Sequence, residues 1–273
     1  MLPRKAPPMK SRSKKWAKVD IGPDKPILYD GARFYPIEGH RYPSVTTILD
    51  IIHKPALGPW YAKEERRVFC DAMLEVLTRP KVPDNSEILD AVIAAVDGLK
   101  AGDKAKTKAA NIGTAAHAMI EWLTRKMLGE DPGPEPEIPE ASQWAVESWK
   151  DWAKEVELVP IYAERTVYSK VYGYAGTLDL YAKVKGELSV VDYKTGKAIY
   201  PEAFLQNVAY RYAGRERGIE SAQGIVLRLP KTVDDPAFEA QPVPGWDGDI
   251  DDFMAVKRTW EWKRRMDGKD IGG

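Results

Sequence analysis

The sequence predicts an α/β protein: a central mixed sheet flanked by helices, with a helical insertion or arch on its N-terminal side. Three observations predict it. Runs rich in β-branched, Leu and Tyr residues near 161–169, 174–184, 188–194 and 223–229 read as strands. Apolar residues recur at helical spacing around 111–128, 140–157 and 200–216. Before residue 111, past one hairpin signal, the pattern is helical throughout. Strands interleaved with helices build a layered sheet-and-helix core.

The elements follow in order. Residues 1–25 are Pro- and Lys-rich with little apolar periodicity, so a flexible basic tail is expected. Asp30-Gly31 lies between apolar runs, a hairpin signal. Ser44 offers a hydroxyl to the first unpaired amides of a short helix expected through His53. A second helix is expected from about Trp60 to Leu77, closed by Pro80 and Pro83. Ser86 is expected to cap a third, in which Ile88, Leu89, Val92, Ile93 and Val96 recur at helical spacing. A basic stretch with Lys100, Lys104, Lys106 and Lys108 leads into a helix carrying His117. Ile112, Ala116, Met119, Ile120 and Leu123 form its apolar side, and Thr114, His117, Glu121 and Arg125 form another. A Pro-rich connector starts at Asp131, and Ala145, Trp149, Trp152 and Val156 mark the core stripe of the next helix. Lys185-Gly186-Glu187 is the turn between two strands. After them, Leu205, Val208, Ala209 and Tyr212 make a helical core stripe, with Gln206 and Tyr210 one turn apart beside it. Trp260 and Trp262 lie on a basic C-terminal helix. The chain divides into a tail (1–25), a hairpin and helical arch region (26–110) and a core with its C-terminal helix (111–273).

Composition bounds the function. A chain of 273 residues can bury a full core, and 44% hydrophobic with 30% charged residues is ordinary for a soluble globular protein. Lys+Arg and Asp+Glu are both 41, so any nucleic-acid channel must come from local segregation of charge. The N-terminal segment lacks the apolar stretch of a signal peptide and no run approaches membrane-spanning length, so a cytoplasmic location without membrane contact is expected. Cys70 is the single cysteine, which excludes an internal disulfide and a cluster of iron and sulfur held by four cysteines. It is expected to be a buried small hydrophobe.

The chemistry concentrates in 172–210. Alternation along a strand puts Leu188, Val190, Asp192 and Lys194 on one face, and the preceding strand carries Asp179. Two carboxylates brought together by paired strands can hold Mg²⁺ or Mn²⁺, because hard cations prefer oxygen ligands. An ammonium beside them can orient a water or stabilise charge on a phosphate oxygen. That combination is suited to phosphodiester hydrolysis.

These residues resemble the PD-(D/E)XK nuclease superfamily, and within it the RecB-type exonucleases. Asp179 in Gly-Thr-Leu-Asp resembles the first acid, and Asp192-Tyr193-Lys194 resembles the acid–x–lysine element. Gln206 and Tyr210 match the helical Gln-x-x-x-Tyr element, and Gly113-Thr-Ala-Ala-His117 resembles the upstream helix whose histidine ligates metal in several branches. Tyr42-Pro-Ser-Val-Thr-Thr-Ile-Leu49 is similar to a segment of phage and mitochondrial genome-maintenance exonucleases. The resemblance implies a restriction-endonuclease-like core and one or two Mg²⁺ or Mn²⁺ ions held by His117, Asp179, Asp192 and the Tyr193 carbonyl. It implies catalytic roles for Asp179, Asp192, Lys194, Gln206 and Tyr210. Some RecB-type relatives carry an iron–sulfur cluster; this chain cannot hold one on cysteines.

Other positions keep two readings. Glu121, one turn from His117, either orients it or forms a surface ion pair. Glu164 is either a solvent-facing strand residue or a cleft residue. Lys100, Lys104, Lys106 and Lys108 are either a solvated surface or phosphate contacts of an arch, with Lys197 a further candidate. Trp60 is the best candidate among nine tryptophans for stacking on a base. The leading function is a DNA exonuclease of phage or bacterial recombination or repair, acting on single-stranded DNA or DNA ends, with a recombination or single-strand-binding protein as a candidate partner. A structure- or sequence-specific endonuclease and a non-catalytic DNA-binding subunit are the alternatives.

Overall fold

The computed structural model describes residues 25–78, 84–96, 101–232 and 234–273. Strands β1 (Ile27–Tyr29), β2 (Ala32–Ile37) and β3 (His40–Pro43) form a small antiparallel sheet. Asp30 and Gly31 both take positive φ, the hairpin turn that the sequence signals. Helix α1 (Val45–Leu49) follows, and Ser44 caps it by accepting the Thr47 N–H at 3.1 Å. It ends before His53, four residues short of expectation. Helix α2 (Leu57–Leu77) starts earlier than Trp60, with Pro59 in its first turn, where a missing N–H costs nothing. The closing prolines, Pro80 and Pro83, lie outside the described residues, as do residues 1–24 of the expected 1–25 tail and Lys100. In α3 (Asn85–Val96) the start is capped by Asp84 rather than Ser86: the Asp84 carboxylate accepts the Ser86 N–H at 2.9 Å.

Helix α4 (Ala101–Met127) begins ten residues before the expected position, so Lys104, Lys106 and Lys108 stand exposed on its N-terminal half. Then come α5 (Glu140–Glu155), β4 (Val159–Ser169), β5 (Tyr174–Val184), β6 (Glu187–Thr195), α6 (Pro201–Glu216), β7 (Gln223–Leu229), β8 (Glu239–Pro242) and α7 (Trp246–Met266). The large sheet has the order β4-β5-β6-β7-β8. Only β6 and β7 pair in parallel, with α6 as their crossover, so the sheet is mixed as predicted. β3 and β8 are short and carry no apolar alternation, which is why the sequence reading missed them.

Two cores flank the sheet. On one face α4 and α5 bury Ala116, Ile120, Trp149 and Trp152 against Leu180, Val191 and Leu227. On the other, α6 and α7 with the β1–β2 hairpin and α1 enclose Phe34, Ile48, Leu178, Val190, Val208 and Phe253. Fully burying each such side chain is worth about 1.5–3 kcal/mol relative to exposure. By contrast α2 and α3 leave Phe69, Leu74, Leu89 and Ile93 exposed. Cys70 sits there too and is exposed, against the expectation of burial, because it lies on the side of α2 away from the buried Ala72 and Val76. No helix of the described residues is long and apolar enough to cross a membrane.

Candidate active site

The site forms where β5 and β6 part. Their ladder runs from Val184↔Glu187 to Leu180↔Val191 and stops. Just beyond it stand Asp179 and Asp192. The Asp179 carboxylate bridges the opening, its Oδ2 accepting the Tyr193 N–H at 2.6 Å. Strand β5 also loses its alternation here. Leu178 packs into the α6-side core and Leu180 into the α4-side core, whereas residues two apart in a regular strand share a face. Across the ladder, Ala163 pairs with Leu180 and Arg165 with Leu178; Glu164 between them has φ 46°. A non-glycine residue held in the left-handed region inside a strand stores strain, and such strain clusters at functional sites. The irregularity presents Glu164 and Asp179 to α4.

Helix α4 comes close because residue 113 is glycine: a Cβ there would stand 2.6 Å from Thr195 Oγ1, at the end of β6. One turn further, His117 lies edge-on to the Tyr193 ring, centroids 5.8 Å apart. Tyr193 is fixed in turn by the indole N–H of Trp149, which donates to its hydroxyl at 3.1 Å. Ligand atoms of His117, Glu164 and Asp179 all fall within 4.8 Å of one another.

Burial lowers the His117 pKa to about 4, with the Lys194 charge adding to the effect, so its imidazole is neutral and its lone pair free at pH 7. Burial and the neighbouring Asp179 and Glu121 charges push Glu164 up to about 9. Burial raises Asp179 as well, against the opposing Lys194 charge and Tyr193 N–H. Two carboxyl groups that disfavour each other's charge, beside a neutral imidazole, are what a dication would stabilise.

On the α6 side lies a second network. Lys194 Nζ lies 2.5 Å from Asp192 Oδ2 and donates to Gln206 Oε1 at 3.1 Å. The Gln206 amide donates to Asp192 Oδ1 at 2.8 Å and to the Tyr210 hydroxyl at 3.0 Å. Asp192 is fully buried, and burial lifts it to about 6 although Lys194 pulls the other way. Tyr210 is buried against Gly176, where a Cβ would stand 2.3 Å from its ring. Tyr210 thus serves as the anchor of Gln206 within the core.

A cleft of ≈ 570 Å³ opens over His117, Glu121, Glu164 and Asp179. Glu121 is ion-paired to Arg125 at 2.8 Å rather than to His117, so of its two readings the ion pair stands, at the cleft wall. Glu164 is brought into the site, where the sequence left it undecided. Lys104, Lys106 and Lys108 do not line this cleft, and neither does Lys197, exposed after β6. Trp60 packs edge-on to Tyr61 at 5.3 Å on α2, apart from the cleft. The cations that do line it are Arg33 and Lys231, which sequence reasoning missed. Lys231 follows the end of β7 and donates to the Ala109 carbonyl at 3.2 Å. Ligand sites favour the carboxyl ends of parallel strands, a rule that would have singled it out. Arg33 left no such signal.

The donor set fits a divalent metal: one neutral imidazole and two carboxylates with converging ligand atoms, on a half-buried wall of an open cleft. A sequence model described as the PD-(D/E)XK nuclease superfamily matches residues 89–264. No curated protein matches the chain significantly. Among solved structures, an alkaline exonuclease (LHK-Exo) from Laribacter hongkongensis is 12% identical, with 55% of this chain and 83% of that one covered and a TM-score of 0.30. The same enzyme in complex with dAMP gives 11% identity, 59% and 90% coverage and a TM-score of 0.29. A candidate exonuclease from Eubacterium rectale is 11% identical, with 81% and 89% covered and a TM-score of 0.39. These likenesses are loose, and membership rests on the sequence match. It spans well over half of the chain, including both strands that bear the acids and the lysine, and by it the chain belongs to the PD-(D/E)XK nuclease superfamily.

Proposed function

We propose that this protein is a Mg²⁺- or Mn²⁺-dependent DNA exonuclease that hydrolyses phosphodiester bonds from DNA ends, of the RecB-type branch and serving phage or bacterial recombination or repair. The observation that carries the reading is the convergence of His117, Glu164 and Asp179 within 4.8 Å at the point where β5 and β6 part, beside Asp192 and Lys194.

His117, Glu164 and Asp179 would hold the metal, with Asp192 and the Tyr193 carbonyl as the further ligands of a second ion or a completed shell. A bound divalent cation supplies Lewis acidity toward a phosphoryl oxygen and lowers the pKa of water. Lys194 is the charge-stabilising group. Its contact with Asp192 holds the ammonium at the site, a placement that suits electrostatic stabilisation of a phosphate oxygen. Gln206 sets the direction of that ammonium, and Tyr210 sets the direction of Gln206. Arg33 and Lys231, at the cleft wall, supply positive charge for substrate phosphates.

Digestion of end-labelled linear DNA beside a closed circle of the same sequence, with chelator and with Mg²⁺ or Mn²⁺ restored, tests the reading. Loss of label from the linear substrate alone, dependent on metal, is expected. Cutting of the circle would replace the exonuclease with an endonuclease, and equal activity in chelator would remove the metal.

A further inference from the structure

Three cavities of the described surface are contiguous. The catalytic cleft shares Arg33 with a groove of ≈ 460 Å³ between the β1–β2 hairpin and α7. On its other side it shares Ala118 and Glu121 with a pocket of ≈ 400 Å³ beneath the Pro-rich connector. The two flanks differ in charge. The groove carries Arg33, Lys263, Arg264 and Lys269 against Asp50 and Asp267. The opposite pocket carries Glu121 and Asp131 against Arg125.

Much of the groove's charge is internally paired. Arg264 is held by Asp30 at 3.1 Å and Asp50 lies 3.7 Å from Lys54, whereas exposed Lys269 lies as far as 3.9 Å from Asp267, a contact loose enough to leave its ammonium available. Arg33 and Lys263 have no carboxylate partner among the described residues. The Arg33 guanidinium donates to the Thr46 hydroxyl at 2.8 Å, and Lys263 is exposed. Leu28 is 77% exposed over the same groove and offers an apolar surface beside the cations. Cations that keep their charge available, next to an apolar contact, suit a polyanion whose bases are unpaired.

We propose that this groove is the track of a nucleic-acid strand, which leaves the catalytic cleft past Arg33 and runs over α7 by Lys263 and Lys269. The proposal rests on the nuclease reading above and deepens it. The acidic pocket bounds the cleft on its far side, where repulsion of phosphates discourages a continuing strand. The protein then grips its substrate on one side of the scissile bond only. Such one-sided grip matches removal of nucleotides from an end.

The test is the double variant Lys263→Glu/Lys269→Glu, made in an Asp192→Asn background so that binding is read without cleavage. Fluorescent single-stranded oligonucleotides of increasing length are titrated over a salt series, with thermal unfolding recorded alongside. Affinity for long oligonucleotides should fall by about tenfold or more, and the loss should grow with length. The slope of log affinity against log salt should become shallower by up to about 0.7 for each lysine. Asp131→Asn, which relieves repulsion on the acidic flank, should not lower affinity. Should the double variant, still folded, keep the parent's salt slope and length dependence, the track is overturned. Salt-dependent binding through Lys263 by a parent protein that cuts no DNA would overturn the nuclease reading and leave the track standing.

Discussion

The two faces of the catalytic sheet end are built in opposite ways. On the α6 face, Lys194, Gln206 and Tyr210 are linked around the fully buried Asp192 in one network, with contacts between 2.5 and 3.1 Å. On the α4 face, His117, Glu164 and Asp179 converge without such a network, and both carboxylates are raised by burial. The first arrangement spends its polar groups on holding one ammonium in place. The second gathers ligand atoms within 4.8 Å of one another, which is what a cation needs and an isolated protein does not. One face fixes an ammonium, and the other gathers the candidate ligand atoms.

The comparison breaks most sharply through activity. Asp179→Asn removes a proposed ligand charge and Lys194→Ala removes the oriented cation, one from each face. Each should cut the rate of DNA hydrolysis by on the order of 10²–10³-fold or more, with circular dichroism unchanged. Near-wild-type rates for Lys194→Ala would end the assignment of the α6 face.

A metal titration separates the faces. His117→Ala and Glu164→Gln should each raise the metal concentration for half-maximal activity by about tenfold or more. His117→Ala should also weaken any preference for Mn²⁺ over Mg²⁺, because imidazole suits Mn²⁺ better. Gln206→Ala should lower the rate and leave the titration midpoint in place. A midpoint unmoved by Glu164→Gln would return that residue to a strained strand position with no ligand role.

Gly176→Ala probes the anchor of the α6 face. The added methyl must displace the Tyr210 ring, a rigid group in a filled core, at a cost of about 1–3 kcal/mol. Urea unfolding should show a lower midpoint at constant slope. An unchanged midpoint would mean that the ring moves freely and does not fix Gln206.

The smallest effect is on stability against pH in the metal-free protein. Glu164 titrates near 9 when folded, well above its value of 4.5 in the unfolded chain. Between these the native state holds a proton that the unfolded state has released, so stability falls as pH rises. Asp179 and Asp192 slope the same way and His117 the opposite way, but all three titrate below about pH 6.5. From pH 6.5 to 9 the decline is therefore chiefly that of Glu164. Glu164→Gln should flatten it, and so should saturating metal, which replaces the proton. A decline that persists in Glu164→Gln would place the titrating group elsewhere.

Much of the α6 face was legible in the chain. Asp192 and Lys194 are two apart on one strand and Gln206 and Tyr210 four apart on one helix, so local periodicity alone puts each pair on one side. Strand β7 and most core stripes were readable for the same reason. Where Lys104, Lys106 and Lys108 would point was not legible, because charge density along the sequence says nothing of direction. Their helix starts at Ala101 and carries them on an exposed stretch, while Arg33 and Lys231, distant in sequence, line the cleft.

The sequence by itself determined most element types and the mixed sheet, and it singled out the two acids and the lysine as candidates, since these follow from side-chain spacing and residue chemistry. Tertiary structure alone decided that Glu164 joins His117 and Asp179. Regular alternation would keep β5 on a single register, but the positive φ of Glu164 and the parting of β5 from β6 break it. Close approach of α4 at Gly113 then brings His117 over the opening. Such a site depends on a backbone irregularity that only packing can hold against its own strain, and that is why periodicity, which assumes regular backbone, could not disclose it.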